Sequence, residues 1–354
     1  MLSFHPLTLT RRQPIAEDAF CLELRADSAG SAAFRFDPGQ HLPVRAMVSG
    51  RELRRTYSIV GAAGESLRIG VRVQGEMSRY LTEELAIGGR LEAMEPTGRF
   101  RPTLDPARSG RYAAFAAGSG ITPVLPIVAA ILGAEQDSRV TLFYGNRSAA
   151  RAMFLEEVLA LKDRYLERFA AHFLMSREPQ DVELFNGRLD GAKLRALAAT
   201  EFDPHSIDEY FICGPGAMVK DLSAALRAFD ATGKIHVERF SIDAGPAAAA
   251  SVTGRVGAAS GAGTEVQVTM DGRRRAFRMS RDERILEAGE RAGLTLPFSC
   301  RAGVCSTCRA KLVAGTVEME RNQALEDWEV QAGFVLCCQA RPTSSRIEIT
   351  YDEK

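Results

Sequence analysis

Short apolar runs broken by glycine and proline fill the N-terminal part of the chain. Leu42–Val48, Thr56–Val60 and Leu67–Val73 are rich in aliphatic and β-branched residues, and only Ser78–Leu85 carries a helical period. Runs of this length between turn residues predict an antiparallel barrel. From Tyr112 the pattern changes to strand–helix alternation. Tyr112–Ala116, Val140–Tyr144, Ala170–Met175 and Tyr210–Cys213 read as strands, with helical stretches near Pro123–Leu132, Met153–Tyr165, Lys193–Ala199 and Ala217–Phe229 after them and Ile235–Val237 closing the series. That alternation predicts a parallel sheet with crossover helices. Residues 244–263, AGPAAAASVTGRVGAASGAG, break both patterns. Side chains so small bury no core, so the segment reads as a flexible tether. Beyond it, alternating Val266, Val268 and Met270, an Asp271-Gly272 turn and a return run Ala276–Met279 read as a hairpin, and Arg284–Ala292 as a helix. The expected division is a barrel over 1–106, an α/β domain over 107–242, a linker over 243–262 and a small α+β module over 263–354.

Composition narrows the class of partner. The chain has 354 residues, 45% hydrophobic and 25% charged, with 45 basic and 45 acidic residues. Zero net charge points to neither nucleic acid nor a membrane surface. The length suits two or three domains. No stretch approaches the ~18 apolar residues of a membrane span. The first residues include Arg11, Arg12, Glu17 and Asp18 and no long apolar run, so no secretory signal is expected. Seven cysteines then suit a reducing cytoplasm.

Four of those cysteines carry chemistry. Cys300-Arg-Ala-Gly-Val-Cys305-Ser-Thr-Cys308 is followed far downstream by Cys337-Cys338. C-x₄-C-x₂-C with a distant fourth cysteine is the plant-type ligand set of a [2Fe–2S] cluster. One loop can wrap the cluster and supply three thiolates, and a separate strand supplies the fourth. Small residues at Ala302, Gly303, Ser306 and Thr307 let backbone N–H groups approach the sulfur atoms, which helps to set the potential. Structural zinc sites favour two C-x₂-C pairs or Cys₂His₂, and this segment has one such pair and no histidine. Neighbouring side chains on an extended segment point to opposite faces, so one of Cys337 and Cys338 faces the cluster.

Four motifs before the tether are weaker one by one. Gly118-Ser119-Gly120-Ile121-Thr122-Pro123 joins a predicted strand to a helix, where glycines and free N–H groups suit a phosphate. A structural turn explains it equally well. Cys213-Gly214-Pro215-Gly216 ends another predicted parallel strand, where ligands bind; alone it is a buried cysteine before a turn. Arg55-Thr56-Tyr57-Ser58 lies in the barrel, and Gly75-Glu76-Met77-Ser78 opens its one helix. Arg147, Arg177 and Arg188 each follow a predicted strand. Singly, each is a solvated loop charge, although arginine suits a phosphate.

Taken in order, Arg-x-Tyr-Ser, Gly-x-Gly-Ile-Thr-Pro and Cys-Gly-Pro-Gly resemble the ferredoxin–NADP reductase superfamily, and the C-terminal module resembles plant-type ferredoxin. Together they resemble the reductase components of bacterial oxygenases. The resemblance implies an antiparallel β-barrel for FAD, an α/β parallel-sheet nucleotide domain and an α+β β-grasp ferredoxin domain. It implies that Tyr57 packs on the isoalloxazine, Arg55 binds the FAD pyrophosphate and Ser58 sits near flavin N5. Arg72, Val73, Gly75, Met77 and Ser78 would line the diphosphate. Gly118, Gly120, Ile121, Thr122 and Pro123 would receive the pyridine nucleotide, with Thr122 approaching the flavin, and Cys213, Gly214 and Pro215 would lie under the nicotinamide. Ser58, Thr122 and Cys213 would then be the catalytic set, with Phe240 shielding the flavin. Ser176-Arg177 resembles the superfamily's NADP-binding pair and, with Arg147, favours NADPH. The family pattern places the fourth cluster ligand immediately before Gln339, which selects Cys338 beside Cys300, Cys305 and Cys308; Cys337 is a departure. Leu174–Glu178, Leu184–Asp190, Ala324–Val330 and Gly333–Gln339 narrow the resemblance to the reductases of phenylacetyl-CoA epoxidases. That implies electron flow from NADPH through FAD and the cluster to a multisubunit diiron oxygenase. The alternatives are the reductase of a steroid hydroxylase, a ring-hydroxylating enzyme or a desaturase, and a non-catalytic iron–sulfur sensor.

Overall fold

Six antiparallel strands close into a barrel in the order β1-β2-β5-β4-β3-β6. They are β1 (His5–Ala16), β2 (Ala19–Ala26), β3 (His41–Val48), β4 (Arg51–Ala63), β5 (Ser66–Arg72) and β6 (Arg90–Ala93). Alternation along the strands sends Leu7, Leu9, Leu22, Leu24, Leu42, Val44, Ile59, Ile69 and Val71 inward, where they form the barrel core. A short helix α1 (Glu76–Arg79), continued by a wider turn over Tyr80–Glu84, plugs one end with Met77, Leu81 and Leu85. The computed structural model describes residues 4–27, 30–240, 250–253 and 263–353. The chain forms two compact units, Phe4–Ser241 and Ile242–Lys354.

The second half of the first unit is the parallel sheet that the strand–helix alternation predicts. Its strands are β7 (Arg111–Ala117), β8 (Arg139–Asn146), β9 (Phe169–Met175), β10 (Glu209–Gly214) and β11 (Lys234–Arg239), in the order β11-β10-β7-β8-β9. The crossover helices are α2 (Ile121–Ala134), α3 (Leu155–Arg164), α4 (Gly191–Ala198) and α5 (Gly216–Ala228). Helix α2 is apolar on nearly all sides, which suits a helix covered on both faces. One face lies on the sheet and the other against the barrel, so Ala19, Cys21 and Val60 share a core with Tyr112, Ile121, Val124 and Val128. The carboxyl ends of the parallel strands are thereby fixed against one side of the barrel.

In the second unit, β13 (Thr264–Met270), β14 (Arg273–Met279), β15 (Arg309–Ala314), β17 (Phe334–Leu336) and β19 (Arg346–Thr350) form a mixed sheet, order β14-β13-β19-β15-β17. Helix α6 (Ile285–Arg291) buries Ile285, Leu286 and Ala288 in its core, and α7 (Asp327–Gln331) leads into β17. A second small sheet has the order β12-β16-β18, with β16 (Thr316–Met319), β18 (Ala340–Pro342) and β12 (Ala250–Thr253).

Strand β12 lies inside the segment read as a tether. It pairs antiparallel with β16, Val252 opposite Val317. Without it the outer edge of β16 would present unpaired N–H and C=O groups. The rest of the expected tether lies outside the described residues. Among the described residues no helix is long and apolar enough to cross a membrane.

Candidate functional site

Beyond β7 the chain turns at Gly118, whose φ of +54° belongs to the left-handed region. Residues Gly118–Gly120 make one tight turn before α2 begins. Gly120 has no room for a side chain: a Cβ there would lie 2.1 Å from the Cys213 carbonyl oxygen. The two glycine motifs, far apart in sequence, therefore touch at the ends of neighbouring strands. Thr122 donates to the Ser119 carbonyl at 2.9 Å. Its methyl sits where a Cβ on Gly70 of β5 would be, 2.6 Å away, so a barrel glycine makes space for it. Cys213 is fully buried and lies opposite Glu238 across β10–β11. Burial, aided by the Glu238 charge, pushes its thiol well above the ordinary range, so it stays protonated. Replacing Gly120 with alanine should lower thermal stability by about 1–3 kcal/mol, the usual cost of overpacking. It should also raise the KM for pyridine nucleotide while FAD content stays constant, as denaturation and steady-state kinetics would show.

On the barrel side, β4 presents Arg55 and Tyr57 to one face and Ser58 to the other. Arg55 is exposed and donates to the Arg54 carbonyl at 2.7 Å; Tyr57 is half-buried. Ser58 is buried, and its hydroxyl has no partner in the protein. Directly across on β3 stands buried His41. Its Nδ1 is 3.4 Å from Glu238 Oε1, while its Nε2 is also without a partner. At the start of α1 the Ser78 hydroxyl accepts from the Gln74 and Gly75 N–H groups, both at 2.9 Å, and so shapes the turn through Val73 and Gly75. Arg72 is differently engaged from a freely extended arginine. Its Nη1 donates to both Asp18 carboxylate oxygens at 2.8 and 3.1 Å, and its Nη2 to the Arg151 carbonyl at 2.9 Å. Arg151 also donates to Asp18. This network joins the barrel to the loop after β8, and one edge of the Arg72 guanidinium, Nε, stays unpartnered.

Two of the three strand-end arginines are neighbours through the backbone. The Ser176 N–H donates to the Asn146 carbonyl and the Arg177 N–H to the Arg147 carbonyl, each at 2.9 Å, so the parallel ladder runs on past β8 and β9. Arg147 and Arg177 are exposed, and neither makes an ion pair within the described residues. Arg188 follows Gly187, whose N–H bonds the Met175 carbonyl at 2.8 Å, and is exposed too.

In the second unit the cysteine loop coils tightly, with Arg301, Gly303 and Ser306 at positive φ. The Ala302 N–H points at Cys300 Sγ (3.3 Å) and the Cys300 N–H at Cys305 Sγ (3.5 Å). Gln339 Nε2 donates to the Arg301 carbonyl at 3.0 Å and lies 3.7 Å from Cys338 Sγ, tying the fourth cysteine to the loop. The sulfurs fall into two pairs. A hydrogen bond from Cys305 holds the Cys300 thiol below the ordinary thiol range, and one from Cys308 does the same for Cys338. Within the described residues no three His, Cys, Asp or Glu side chains converge as one ion would require. Two pairs of thiols lined by backbone N–H groups fit two irons, with two thiolates on each. Cys337 points the other way, into the core beside Tyr351, and burial pushes its thiol up to about 12.

The Gly118–Thr122 and Cys213–Gly214 motifs thus meet at the ends of β7 and β10, with barrel Gly70 against Thr122, and in the second unit Cys338 and Gln339 meet the cysteine loop. Phe240 follows β11 and is exposed. His41, Glu238 and Asp18 carry no motif, and only cross-strand register and the contact of barrel with sheet bring them to the site.

Comparison with known proteins agrees with this layout. Residues 6–101 match the oxidoreductase FAD-binding domain, 115–224 the oxidoreductase NAD-binding domain, and 268–343 the 2Fe-2S iron-sulfur cluster binding domain. The chain is 41% identical to one of the subunits of 1,2-phenylacetyl-CoA epoxidase from Escherichia coli K12, over 100% of this chain and 99% of that protein. It is 35% identical to the ferredoxin reductase component of 3-ketosteroid-9-alpha-monooxygenase from Mycolicibacterium smegmatis, over 90% and 88% of the two chains. The crystal structure of phthalate dioxygenase reductase shares the fold, with a TM-score of 0.56 at 22% identity and 98% of each chain covered.

Proposed function

The chain belongs to the oxygenase-reductase branch of the ferredoxin–NADP reductase superfamily, and from that premise we propose that it feeds electrons from NADPH to the diiron oxygenase that epoxidises phenylacetyl-CoA. One observation carries the choice of oxygenase: the likeness to the epoxidase component covers 100% of the chain at 41% identity, against 35% over 90% for the steroid enzyme's reductase. When bound, FAD would accept one electron pair as a hydride and release the two electrons singly to the cluster; that chemistry belongs to the cofactors.

The chain's own residues orient and insulate. Tyr57 offers an aromatic face for the flavin ring, and Arg55, exposed on the same strand face, a charge for its pyrophosphate. The turn Val73–Ser78, held by the Ser78 hydroxyl, presents backbone to the same group. Gly118–Pro123 and Cys213–Pro215 form one surface for the nicotinamide, since Gly120 rests on the Cys213 carbonyl. The protonated Cys213 thiol adds no negative charge beneath that ring. Cys300, Cys305, Cys308 and Cys338 would hold the cluster. All seven cysteines are free thiols, which suits a reducing cytoplasm.

The preference for NADPH rests on Arg147 and Arg177, two neighbouring unpaired charges beside Ser176. Arg177→Ala, and more so the double change with Arg147, should raise the KM for NADPH far more than for NADH. Losing a charge-assisted phosphate contact costs about 1.5–3 kcal/mol, or roughly one to two decades in affinity. A wild-type enzyme that prefers NADH would refute the assignment.

Reconstitution tests the choice of partner. The purified reductase, NADPH and the catalytic subunits of a phenylacetyl-CoA epoxidase should convert phenylacetyl-CoA to its epoxide with matching NADPH consumption. Coupling to a steroid hydroxylase at an equal or greater rate, under the same conditions, would reassign the partner.

A further inference from the structure

The turn Cys337–Gln339, between β17 and β18, is gripped from two sides. The Leu286 N–H, in the first turn of α6, donates to the Cys337 carbonyl at 3.0 Å. The Glu320 N–H, just past β16, donates to the Gln339 carbonyl, also at 3.0 Å. The carbonyls on either side of Cys338 are thus tied to two other elements.

Side chains close the same grip. Arg284 stands immediately before α6 and donates to Glu320 Oε2 through Nε at 3.0 Å and Nη2 at 2.6 Å. Its Nη1 reaches Glu287 at 3.3 Å. The other oxygen of Glu320 accepts from Arg341 of β18. One carboxylate therefore joins the start of α6, the end of β16 and the strand that follows Cys338. Arg284 and Glu320 are both partly buried. The Glu320 carboxylate, with smaller contributions from Glu287 and the Cys338 sulfur, favours the charged guanidinium. The arginine thus brings a positive charge within electrostatic reach of the fourth cysteine.

An ion pair of this exposure is ordinarily worth little to stability, and a tie between three elements would account for its geometry. Its place suggests more. Taking up one electron adds one negative charge to a cluster held by Cys338. Charge and hydrogen bonds around the ligands set the potential of such a cluster. A cation near Cys338 favours the reduced form, and the carboxylate that holds the cation moderates the effect. We propose that Arg284, clasped by Glu320, holds the Cys338 turn in place and raises the readiness of the cluster to accept an electron. Arg284 is a positioning residue by this account, since it acts through Cys338. The inference rests on Cys338 being the fourth ligand.

An EPR-monitored redox titration of the full chain tests it without turnover, with the flavin in the same sample as internal reference. At a fixed potential, R284Q should raise the ratio of oxidised to reduced cluster by about three- to tenfold, tenfold being 59 mV for one electron. E320Q should move the ratio the other way, by about two- to threefold, and the double variant should lie between the two. R284K keeps the charge and loses the fork. It should stay within about twofold of the wild type in potential, yet lose its cluster faster on warming. Raising the salt from about 0.05 to about 0.5 M should shrink the R284Q shift, because the pair is open to solvent on one side. A ratio unchanged in R284Q, or shifted in the same direction by R284Q and E320Q, would overturn the proposal, as would an R284K potential equal to that of R284Q. If R284Q fails to keep a cluster, R284K and E320Q carry the comparison: a potential unchanged in both would refute the charge effect. A cluster that survives Cys338→Ser with its potential unaltered would instead remove the ligand assignment beneath the inference.

Discussion

Replacing Cys305 with serine should abolish the visible and EPR signals of the cluster and leave FAD bound at wild-type stoichiometry. NADPH–ferricyanide activity, which needs only the flavin, should stay within about twofold. Reduction of cytochrome c through the cluster should fall to background. The physical basis is the separation of cores. Cys305 sits in the loop over a core made by Val266, Phe277, Leu286, Leu312 and Ile347, all from the second unit, whereas the barrel and sheet are held by their own residues. A cluster lacking one thiolate has no substitute nearby, because the spare thiol, Cys337, points into the core beside Tyr351. Cys337→Ala should therefore keep the cluster, at a modest cost in stability, and Cys338→Ser should lose it. Loss of FAD from the Cys305 variant would mean that the units do not fold independently. Retention of the cluster in Cys338→Ser would mean that Cys337 can turn outward, and would reverse the assignment of the fourth ligand.

Much of the architecture was legible because the relevant signals are local. The apolar runs at Leu42–Val48 and Leu67–Val73 fall on β3 and β5, and the alternation from Tyr112 onward matches β7 to β11 with their helices. The cysteine loop was legible because one short segment holds three ligands. Strand β1 was harder, since its outward positions include Arg11, Arg12 and Gln13, and only Leu7 and Leu9 mark the inward face. The pairing of His41, Ser58 and Glu238 was not legible. It depends on the register of β3 on β4 and on how the sheet meets the barrel, neither of which leaves a spacing rule in the sequence. Arg72 could be placed at the end of a strand, but its commitment to Asp18 depends on a tertiary contact. Strand β12 was hidden for another reason. Ala250–Thr253 has no apolar pattern of its own, and an open edge at β16 is what recruits it.

That strand sharpens a second large expected effect. Cutting the chain after Ala244 should leave a body that still reduces ferricyanide with NADPH. Transfer to cytochrome c or to the oxygenase should fall by roughly two to three decades at micromolar concentrations, because a short covalent connection holds the modules at an effective concentration near the millimolar range. Excess isolated module should restore part of the rate. The position of the cut matters, since a cut after Ala244 leaves β12 on the cluster module and a cut after Thr253 removes it. Loss of β12 opens the edge of a two-stranded remnant, β16–β18, adjoining the turn that carries Cys338. The module from the later cut should therefore melt lower, by about 5 °C or more if the strand contributes about 1 kcal/mol, and lose its cluster faster on warming. Equal melting temperatures for the two modules would show that β12 contributes nothing to the fold, and that the whole connection acts as a passive tether. Full oxygenase turnover by the cut body alone would show that the flavin feeds the partner directly, and would remove the cluster from the route.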